Sequence, residues 1–184
     1  MNILITRPLM DAEDIMEKFF AYGHKIIHLP TLKISPVTTD LVNPDSFDAF
    51  IFTSTNAVRN LKLVSANKNL YCFCVGSITE KIARQLGFTN TISAGGTVNA
   101  LKNLIMVSDE INKNSNLAYF CGDNVSYDLD LELKKEGLKI KKVINYSSEV
   151  ISDLNDKNKK LIEKYPPDLI YIYSARSAES FIAI

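Results

Sequence analysis

Residues 48–61, DAFIFTSTNAVRNL, decide the fold because their pattern returns at residues 168–181, DLIYIYSARSAESF. In both copies a short apolar run ends in small hydroxyl-bearing residues, and a helical pattern follows at once. At an offset of 120 positions the copies share an aspartate and a serine, which are Asp48 with Asp168 and Ser54 with Ser174. Such a run predicts a buried strand that leads directly into a helix. The chain therefore uses the same strand–helix unit more than once.

A second repeat surrounds the first and predicts two similar α/β domains. Residues 2–32 align without gaps with residues 116–146 at an offset of 114 positions. Residues 70–88 carry a third strand–helix pattern without a copy, because adding 120 gives positions 190–208, beyond Ile184. A repeated order of units predicts repeated structural modules. We therefore expect the first domain to lack its last strand–helix units.

Strand and helix patterns alternate along the whole chain, which predicts parallel sheets covered by helices on both faces. Predicted strands occupy residues 2–6, 25–30, 49–54, 70–76, 89–94, 116–122, 138–150 and 168–174. Predicted helices occupy residues 9–22, 77–88, 95–107, 126–137, 152–165 and 175–184, with a further one from about residue 56. Ser77 and Glu80 have capping-box spacing, which predicts Ser77 as the cap of its helix.

The composition is that of an ordinary globular protein, with 46% hydrophobic and 23% charged residues among 184. Lys plus Arg and Asp plus Glu both number 21, and this zero formal net charge gives no indication of a general nucleic-acid or membrane-surface binder. No apolar run reaches the length of about 18 residues that a membrane span needs. The first residues enter a strand directly, so we expect no signal peptide and a cytoplasmic location.

The cysteines and histidines do not form a pattern typical of a metal or redox site. Cys72 and Cys74 alternate within a strand pattern, and together with Cys121 they make an odd count without paired spacing. This favours reduced core cysteines over a disulfide framework or a zinc site. His24 and His28 lie in a strand-like stretch without a neighbouring thiol or carboxylate, so a structural role is favoured and no metal is expected.

Small, hydroxylated or glycine residues follow most predicted strands. In open parallel sheets, ligands bind beyond the carboxyl ends of the strands, near the amino termini of helices. Accessible backbone N–H groups and short hydroxyl donors there suit the carboxylates or phosphates of a large ligand. The residues at these ends are Thr6 and Arg7, Ser54 to Asn56, Gly76 to Thr79, Gly122 and Asp123, and Ser174 to Ser177.

The same residues have a second interpretation, because Ser, Thr and Asn are favoured helix N-caps in any protein. For a single residue, capping is the more frequent role, whereas repetition at several successive strand ends raises the case for a ligand. Neither a Gly-x-Gly-x-x-Gly nor a Walker A sequence is present, which disfavours those nucleotide folds. Both interpretations stay open at this point.

Taken in order, these motifs resemble the uroporphyrinogen-III synthase family. The matching pieces are ILITRP with GHKIIHLP, FIFTSTNAV, CVGSITEKIARQLGF, YFCG with DLDLELKKEGLKIKKVINY, and DLIYIYSARSAESF. They follow the family's order and cover essentially the whole chain. The family's sequences are divergent, so the ordered set is more specific than any single motif.

The resemblance implies an α/β protein with two flavodoxin-like parallel-sheet domains joined by a two-stranded linker. The first domain would be discontinuous, with residues 1–33 and 149–184, and incomplete, because the family continues with another Gly-x-x-Thr strand–helix unit and a last strand and helix. The second domain would hold residues 38–144. The linker strands would lie near residues 30–37 and 143–150.

The resemblance also implies a reaction: ring closure of hydroxymethylbilane to uroporphyrinogen III, with loss of water and inversion of the D ring. This is tetrapyrrole and haem biosynthesis by a cofactor-independent hydro-lyase, without a metal. Uncatalysed closure gives the non-inverted type I isomer. The enzyme's task would therefore be to hold the linear substrate curled, which is catalysis by positioning with modest proton transfer.

The residue roles follow from the matching motifs. Tyr146, in KKVINYSSE, matches the family's cleft tyrosine near the linker and would be the proton donor, although a half-buried strand residue is the alternative. Ser54, Thr79 and Ser174 match cleft positions, and Arg7 and Arg176 would be charge partners of the substrate carboxylates. The full predicted substrate-binding set is Thr6, Arg7, Ser54, Thr55, Asn56, Gly76, Ser77, Thr79, Gly122, Ser174, Arg176 and Ser177.

The expected partners are hydroxymethylbilane and, as its upstream donor, hydroxymethylbilane synthase, with no nucleic acid and no membrane. We expect a monomer. The alternative function is a non-catalytic two-domain binding module, or a truncated and inactive synthase, which the missing strand–helix unit would favour.

Overall fold

The computed structural model describes residues 1–38, 43–62 and 67–184. The strands are β1 (Asn2–Ile5), β2 (Lys25–His28), β3 (Leu32–Pro36), β4 (Ala49–Phe52), β5 (Tyr71–Cys74), β6 (Thr91–Ser93), β7 (Asn116–Gly122), β8 (Lys139–Val150) and β9 (Leu169–Tyr171). The α-helices are α1 (Leu9–Ala21), α2 (Thr55–Arg59), α3 (Ser77–Gln85), α4 (Val98–Val107), α5 (Leu129–Lys135), α6 (Asp156–Lys164) and α7 (Ala175–Ile182). A 3-10 helix spans Pro44–Ser46.

The chain divides into two compact units. Unit 1 combines Met1–Ser35 with Ser148–Ile184, and unit 2 is Pro36–Ser147. The predicted second domain, residues 38–144, includes residues 39–42 and 63–66, which lie outside the described residues. The α/β class with predominantly parallel sheets is confirmed, because β1 pairs in parallel with β2 and β9, and β7 with β4 and β8.

Unit 1 contains a three-stranded sheet in the order β2-β1-β9. Ile3 and Ile5 of β1 pack with Ala12 of α1 on one face. Leu4 and Ile27 pack on the other face, against side chains of α6 and α7. The strand residues point alternately to the two faces, so an apolar run such as NILI supplies both layers.

Unit 2 is built on β8, β7, β4, β5 and β6, which lie side by side in that order in the larger sheet. All four residues of β4 are buried, because helices cover both faces of the strand. The α2 and α3 side chains pack on one face around Phe50 and Phe52, and the α4 and α5 side chains pack on the other around Ile51. This double coverage explains why the central strands are continuously apolar.

The two sequence repeats correspond to one structural pattern that occurs in each unit. In unit 1 the backbone N–H of Asn2 donates to Oδ2 of Asp168 at 2.7 Å. In unit 2 the N–H of Asn116 donates to Oδ2 of Asp48, also at 2.7 Å. The strand registers agree as well, since Ile3 pairs with Leu169 and the equivalent Leu117 pairs with Ala49.

Strand β9 is far more exposed than its equivalent β4. Leu169 and Ile170 are 41% and 40% exposed, whereas the equivalent Ala49 and Phe50 are fully buried. In unit 2 the far side of β4 is paired with β5, and the described part of unit 1 has no corresponding strand beside β9. The described β9 therefore presents an apolar edge.

Local details differ from the sequence predictions in a few places. The predicted capping box at Ser77 is wrong, because Gly76 is the N-cap of α3 and Ser77 is already helical. The Glu80 carboxylate instead accepts hydrogen bonds from Arg84 and from the Thr91 hydroxyl. Helix α6 begins at Asp156, later than the expected residue 152, and β9 ends at Tyr171, earlier than residue 174.

Candidate functional site

Unit 2 has a small cavity of about 160 Å³ at the carboxyl ends of β4 and β7. None of the described residues that line it carries a charged side chain, and most carry a hydroxyl group. Its position agrees with the general rule that ligands of open parallel sheets bind beyond the strand ends. Its lining includes Thr53, Ser54, Tyr119, Gly122, Tyr127 and Tyr146.

The structure brings three of the predicted site residues together in this cavity, namely Ser54, Gly122 and Tyr146. Ser54 is also the N-cap of α2, and its Oγ accepts the N–H of Asn56 at 3.1 Å. Capping and cavity lining are therefore combined in this residue. Because the cap uses an oxygen lone pair, the Ser54 hydroxyl proton can still be donated to a ligand.

The ring of Tyr146 lies directly over the backbone of Gly122. A Cβ atom at residue 122 would be 2.7 Å from Cε2 and Cζ of Tyr146 and 3.0 Å from its hydroxyl oxygen. Real Cβ atoms do not approach other atoms so closely, so only glycine permits this position of the tyrosine. The absence of a side chain at Gly122 therefore allows the phenol of Tyr146 to occupy its position in the cavity.

A β-bulge in β8 sets the direction of Tyr146. Along β7 and β8 the register runs evenly until Cys121 pairs with Ile144, and then Gly122 pairs with Tyr146. The extra residue is Asn145, which is buried and whose Nδ2 donates to the carbonyl of Ala57 in α2 at 2.7 Å. Bulges of this kind re-aim a side chain at the end of a strand.

Tyr119 is a cavity residue that is not among those predicted from the sequence. Tyr119 is 1% exposed, yet it lines the cavity, and its hydroxyl oxygen is 3.1 Å from Oγ1 of Thr53. Burial raises its pKa well above the ordinary value of 10.0, so the phenol stays protonated at neutral pH. The only signal in the sequence was a hydroxyl-bearing ring within the otherwise apolar strand NLAYFCG.

The remaining predicted residues of unit 2 are at strand ends but do not line this cavity. Thr55 is buried in α2, and Asn56 is half-buried. Gly76 is the N-cap of α3, where Ser77 is exposed and Thr79 is buried.

In unit 1, Arg7 lies at the end of β1 and is held by its neighbours. Its guanidinium carbon is 4.4 Å from the centre of the Tyr173 ring, and its Nε is 3.8 Å from Oδ2 of Asp11. Thr6 is buried, and its hydroxyl donates to the carbonyl of Tyr171 at 3.3 Å.

Ser174 repeats in unit 1 the capping role of Ser54. Its Oγ accepts the N–H of Ser177 at 3.1 Å, and the Ser177 side chain is itself buried. Arg176 donates to the hydroxyl of Ser148 at 3.0 Å and to the carbonyl of Ser148 at 2.6 Å. A ligand carboxylate at Arg176 would therefore share the guanidinium with these contacts.

Within residues 1–38, 43–62 and 67–184, no three His, Cys, Asp or Glu side chains are grouped so that they could hold a metal ion. Over the same ranges no helix is long and apolar enough to cross a membrane.

Comparisons with known proteins agree on one family. The family model described as uroporphyrinogen-III synthase HemD matches residues 13–184. The structure is similar to that of uroporphyrinogen-III synthetase from Helicobacter pylori 26695, with a TM-score of 0.67 and 16% identity over 98% of this chain and 76% of that one. A mutant uroporphyrinogen III synthase from the extremely thermophilic bacterium Thermus thermophilus gives a TM-score of 0.61 and 14% identity over 99% and 76%.

No curated protein sequence matches the chain. At such low identities the two structures support the fold, while the family model covers all but the first 12 residues. This chain therefore belongs to the uroporphyrinogen-III synthase family.

Proposed function

We propose that this chain closes hydroxymethylbilane to uroporphyrinogen III, with loss of water and inversion of the D ring, and that Tyr146 is its proton donor. The observation that carries the proposal is the phenol of Tyr146, which is placed over Gly122 in an uncharged cavity at the strand ends of a member of this family. We propose further that units 1 and 2 are the two flavodoxin-like domains and that residues 30–37 and 143–150 form their linker.

The chemistry needs only a weak acid. The C–O bond of the hydroxymethyl group breaks, and the lone pair of the pyrrole nitrogen replaces the electron pair that leaves with oxygen. The oxygen departs as water with a proton from Tyr146. The phenolate recovers a proton when the newly closed ring loses its surplus proton, so the net change is the loss of one water.

Selection of the type III isomer is then a matter of positioning. The substituted carbon of the D ring must reach the reactive carbon before the unsubstituted position does, and a fixed curled conformation achieves this. Hydroxyl groups and backbone N–H groups at the other strand ends would bind the substrate's carboxylates. Arg7 is fixed by Tyr173 and Asp11, so it would meet a carboxylate with little loss of side-chain entropy.

The rest of the proposal concerns partners. Hydroxymethylbilane would come from hydroxymethylbilane synthase, and the chain would act as a monomer in the cytoplasm without a metal or organic cofactor. The competing function is a non-catalytic binding module or an inactive synthase, which is favoured by the exposed apolar edge of β9.

The proposal is tested with Tyr146→Phe, which removes only the phenol oxygen. We expect the rate of type III formation from freshly generated hydroxymethylbilane to fall about 100-fold, the low end of the roughly 10²- to 10⁴-fold contribution of general acid catalysis, because a phenol is a weak acid. Tyr22→Phe is the matched control, because Tyr22 is exposed on unit 1 beyond α1. Equal rates for Tyr146→Phe and the unsubstituted chain would contradict the role of Tyr146, and type I alone from the unsubstituted chain would contradict the function.

A further inference from the structure

We propose that Thr53 and Tyr119 act as one hydroxyl pair that donates a second hydrogen bond to the leaving oxygen of the substrate, next to Tyr146. The inference rests on the proposed function, and it assigns that oxygen to the unit 2 cavity. The pair has a definite position, since the two hydroxyl oxygens are 3.1 Å apart and both residues line the cavity together with Tyr146.

Counting protons explains what the pair can do. Each hydroxyl has one proton, and the bond between Thr53 and Tyr119 uses one of the two. One proton is therefore left for an acceptor in the cavity, whichever residue is the donor within the pair. Cys121 packs in the same buried cluster as Tyr119, but a neutral thiol is a weak acceptor and does not compete with a ligand oxygen.

The fold itself does not require this pair. In unit 1, the equivalent of Tyr119 is Ile5, which is fully buried and apolar. The equivalent of Thr53 is Tyr173, whose ring lies against the Arg7 guanidinium. The same strand arrangement therefore packs without two facing hydroxyls, and a buried phenol oxygen is costly unless it is hydrogen-bonded.

The cavity's chemistry indicates which part of the substrate it holds. A carboxylate placed here would lose water without meeting a positive charge among the described lining residues. A neutral hydroxymethyl oxygen meets no such penalty and accepts bonds from hydroxyl donors. With a volume of about 160 Å³, the cavity suits one end of the linear substrate rather than several rings.

The test combines Tyr119→Phe, Thr53→Val and the double variant, with kcat and KM measured for type III formation. We expect each single variant to lower kcat about 10-fold with little change in KM, because the donor acts on the departing oxygen more than on the bound substrate. The double variant should be no slower than the singles, because the hydroxyl that remains in a single variant keeps its proton but is no longer held in position by its partner. Thr53→Ser, which keeps the hydroxyl, should lose less kcat than Thr53→Val.

Tyr71→Phe is the matched control, because Tyr71 lies at the opposite end of the same sheet, where its hydroxyl contacts Glu110. It should keep the unsubstituted kcat. An unchanged kcat in Tyr119→Phe, additive losses in the double variant, or an equal loss in Tyr71→Phe would overturn the inference while the proposed function stands. Production of type I alone by the unsubstituted chain would overturn both.

Discussion

Gly122 and Tyr146 are far apart in sequence but in close contact in unit 2, where the tyrosine ring occupies the space that a Cβ atom of residue 122 would need. The backbone conformation of Gly122 does not require a glycine, because its φ angle is not positive. The glycine is required by the tyrosine ring, which leaves no room for a Cβ atom. The position of the proposed proton donor therefore depends on the absence of one methyl group.

Gly122→Ala tests this steric dependence. We expect it to lower the free energy of unfolding by about 1–3 kcal/mol, as overpacking does, and to reduce type III formation because Tyr146 must move. Urea unfolding followed by circular dichroism measures the first effect.

Gly76→Ala is the stability control, because a Cβ there would meet its nearest atom at an ordinary 3.5 Å. Combining Gly122→Ala with Tyr146→Ala should remove most of the steric penalty. Equal free energies of unfolding for Gly122→Ala and Gly76→Ala would contradict the close contact between Gly122 and the Tyr146 ring.

The sequence predicted some cavity residues and missed others for a physical reason. Ser54 follows β4 and Gly122 is the last residue of β7, and strand ends can be recognised from the local sequence pattern. Tyr119 lies inside an apolar strand, and its local pattern indicates only burial. Its proposed function depends on Thr53, which is 66 positions away, and patterns within a short stretch of sequence cannot predict a contact over such a separation.

At the scale of whole elements, the helix amino termini distinguish true caps from apparent ones. Ser54 and Ser174 are extended residues whose hydroxyls accept N–H groups of α2 and α7. Ser77 has an equally suggestive sequence context, but it lies inside α3, and Glu80 is engaged with Arg84 and Thr91. The Glu80 carboxylate is bound by Arg84 of the same helix and by Thr91 of β6 and does not form a capping box with Ser77.

Ser174→Ala should therefore lower the free energy of unfolding by about 1 kcal/mol, the usual cost of losing a cap. Ser77→Ala should cost much less, because residue 77 does not cap α3. Both are measured by urea unfolding. A larger loss for Ser77→Ala than for Ser174→Ala would show that the caps have been assigned to the wrong residues.

At the scale of the whole molecule, the internal repeat was predictable because it is written in the sequence at fixed offsets. The repeated hydrogen bonds of Asn2 and Asn116 show that the offsets reflect strand pairing. The bulge at Asn145 was not predictable, because the sequence of β8 with its extra residue resembles that of a regular strand with alternating inward and outward side chains.

The buried thiols of unit 2 predict how stability depends on pH. Burial raises the pKa of Cys74 to about 12 and of Cys121 to about 11, from 9.0, and burial also raises the pKa of Cys72. The folded chain keeps these protons above pH 9 while the unfolded chain releases them. The unfolded state then binds fewer protons, so the stability present below pH 9 is lost as the pH rises towards the folded values.

We expect the thiols together to remove about 3–4 kcal/mol of stability between pH 8 and pH 10, because each of the three groups loses about 1.4 kcal/mol over this whole range. Urea unfolding in the presence of a reductant measures this loss. In Cys121→Ala the loss should be smaller by about 1.4 kcal/mol. An identical pH dependence in that variant would contradict the burial of the thiol.

The central claim concerns which isomer the chain makes, and the most direct measurement is the isomer ratio of the product. Freshly generated hydroxymethylbilane is mixed with increasing concentrations of the unsubstituted chain, and the oxidised products are separated by isomer. The account predicts that type III replaces the spontaneous type I as the chain concentration rises. Type I alone at every concentration would contradict it.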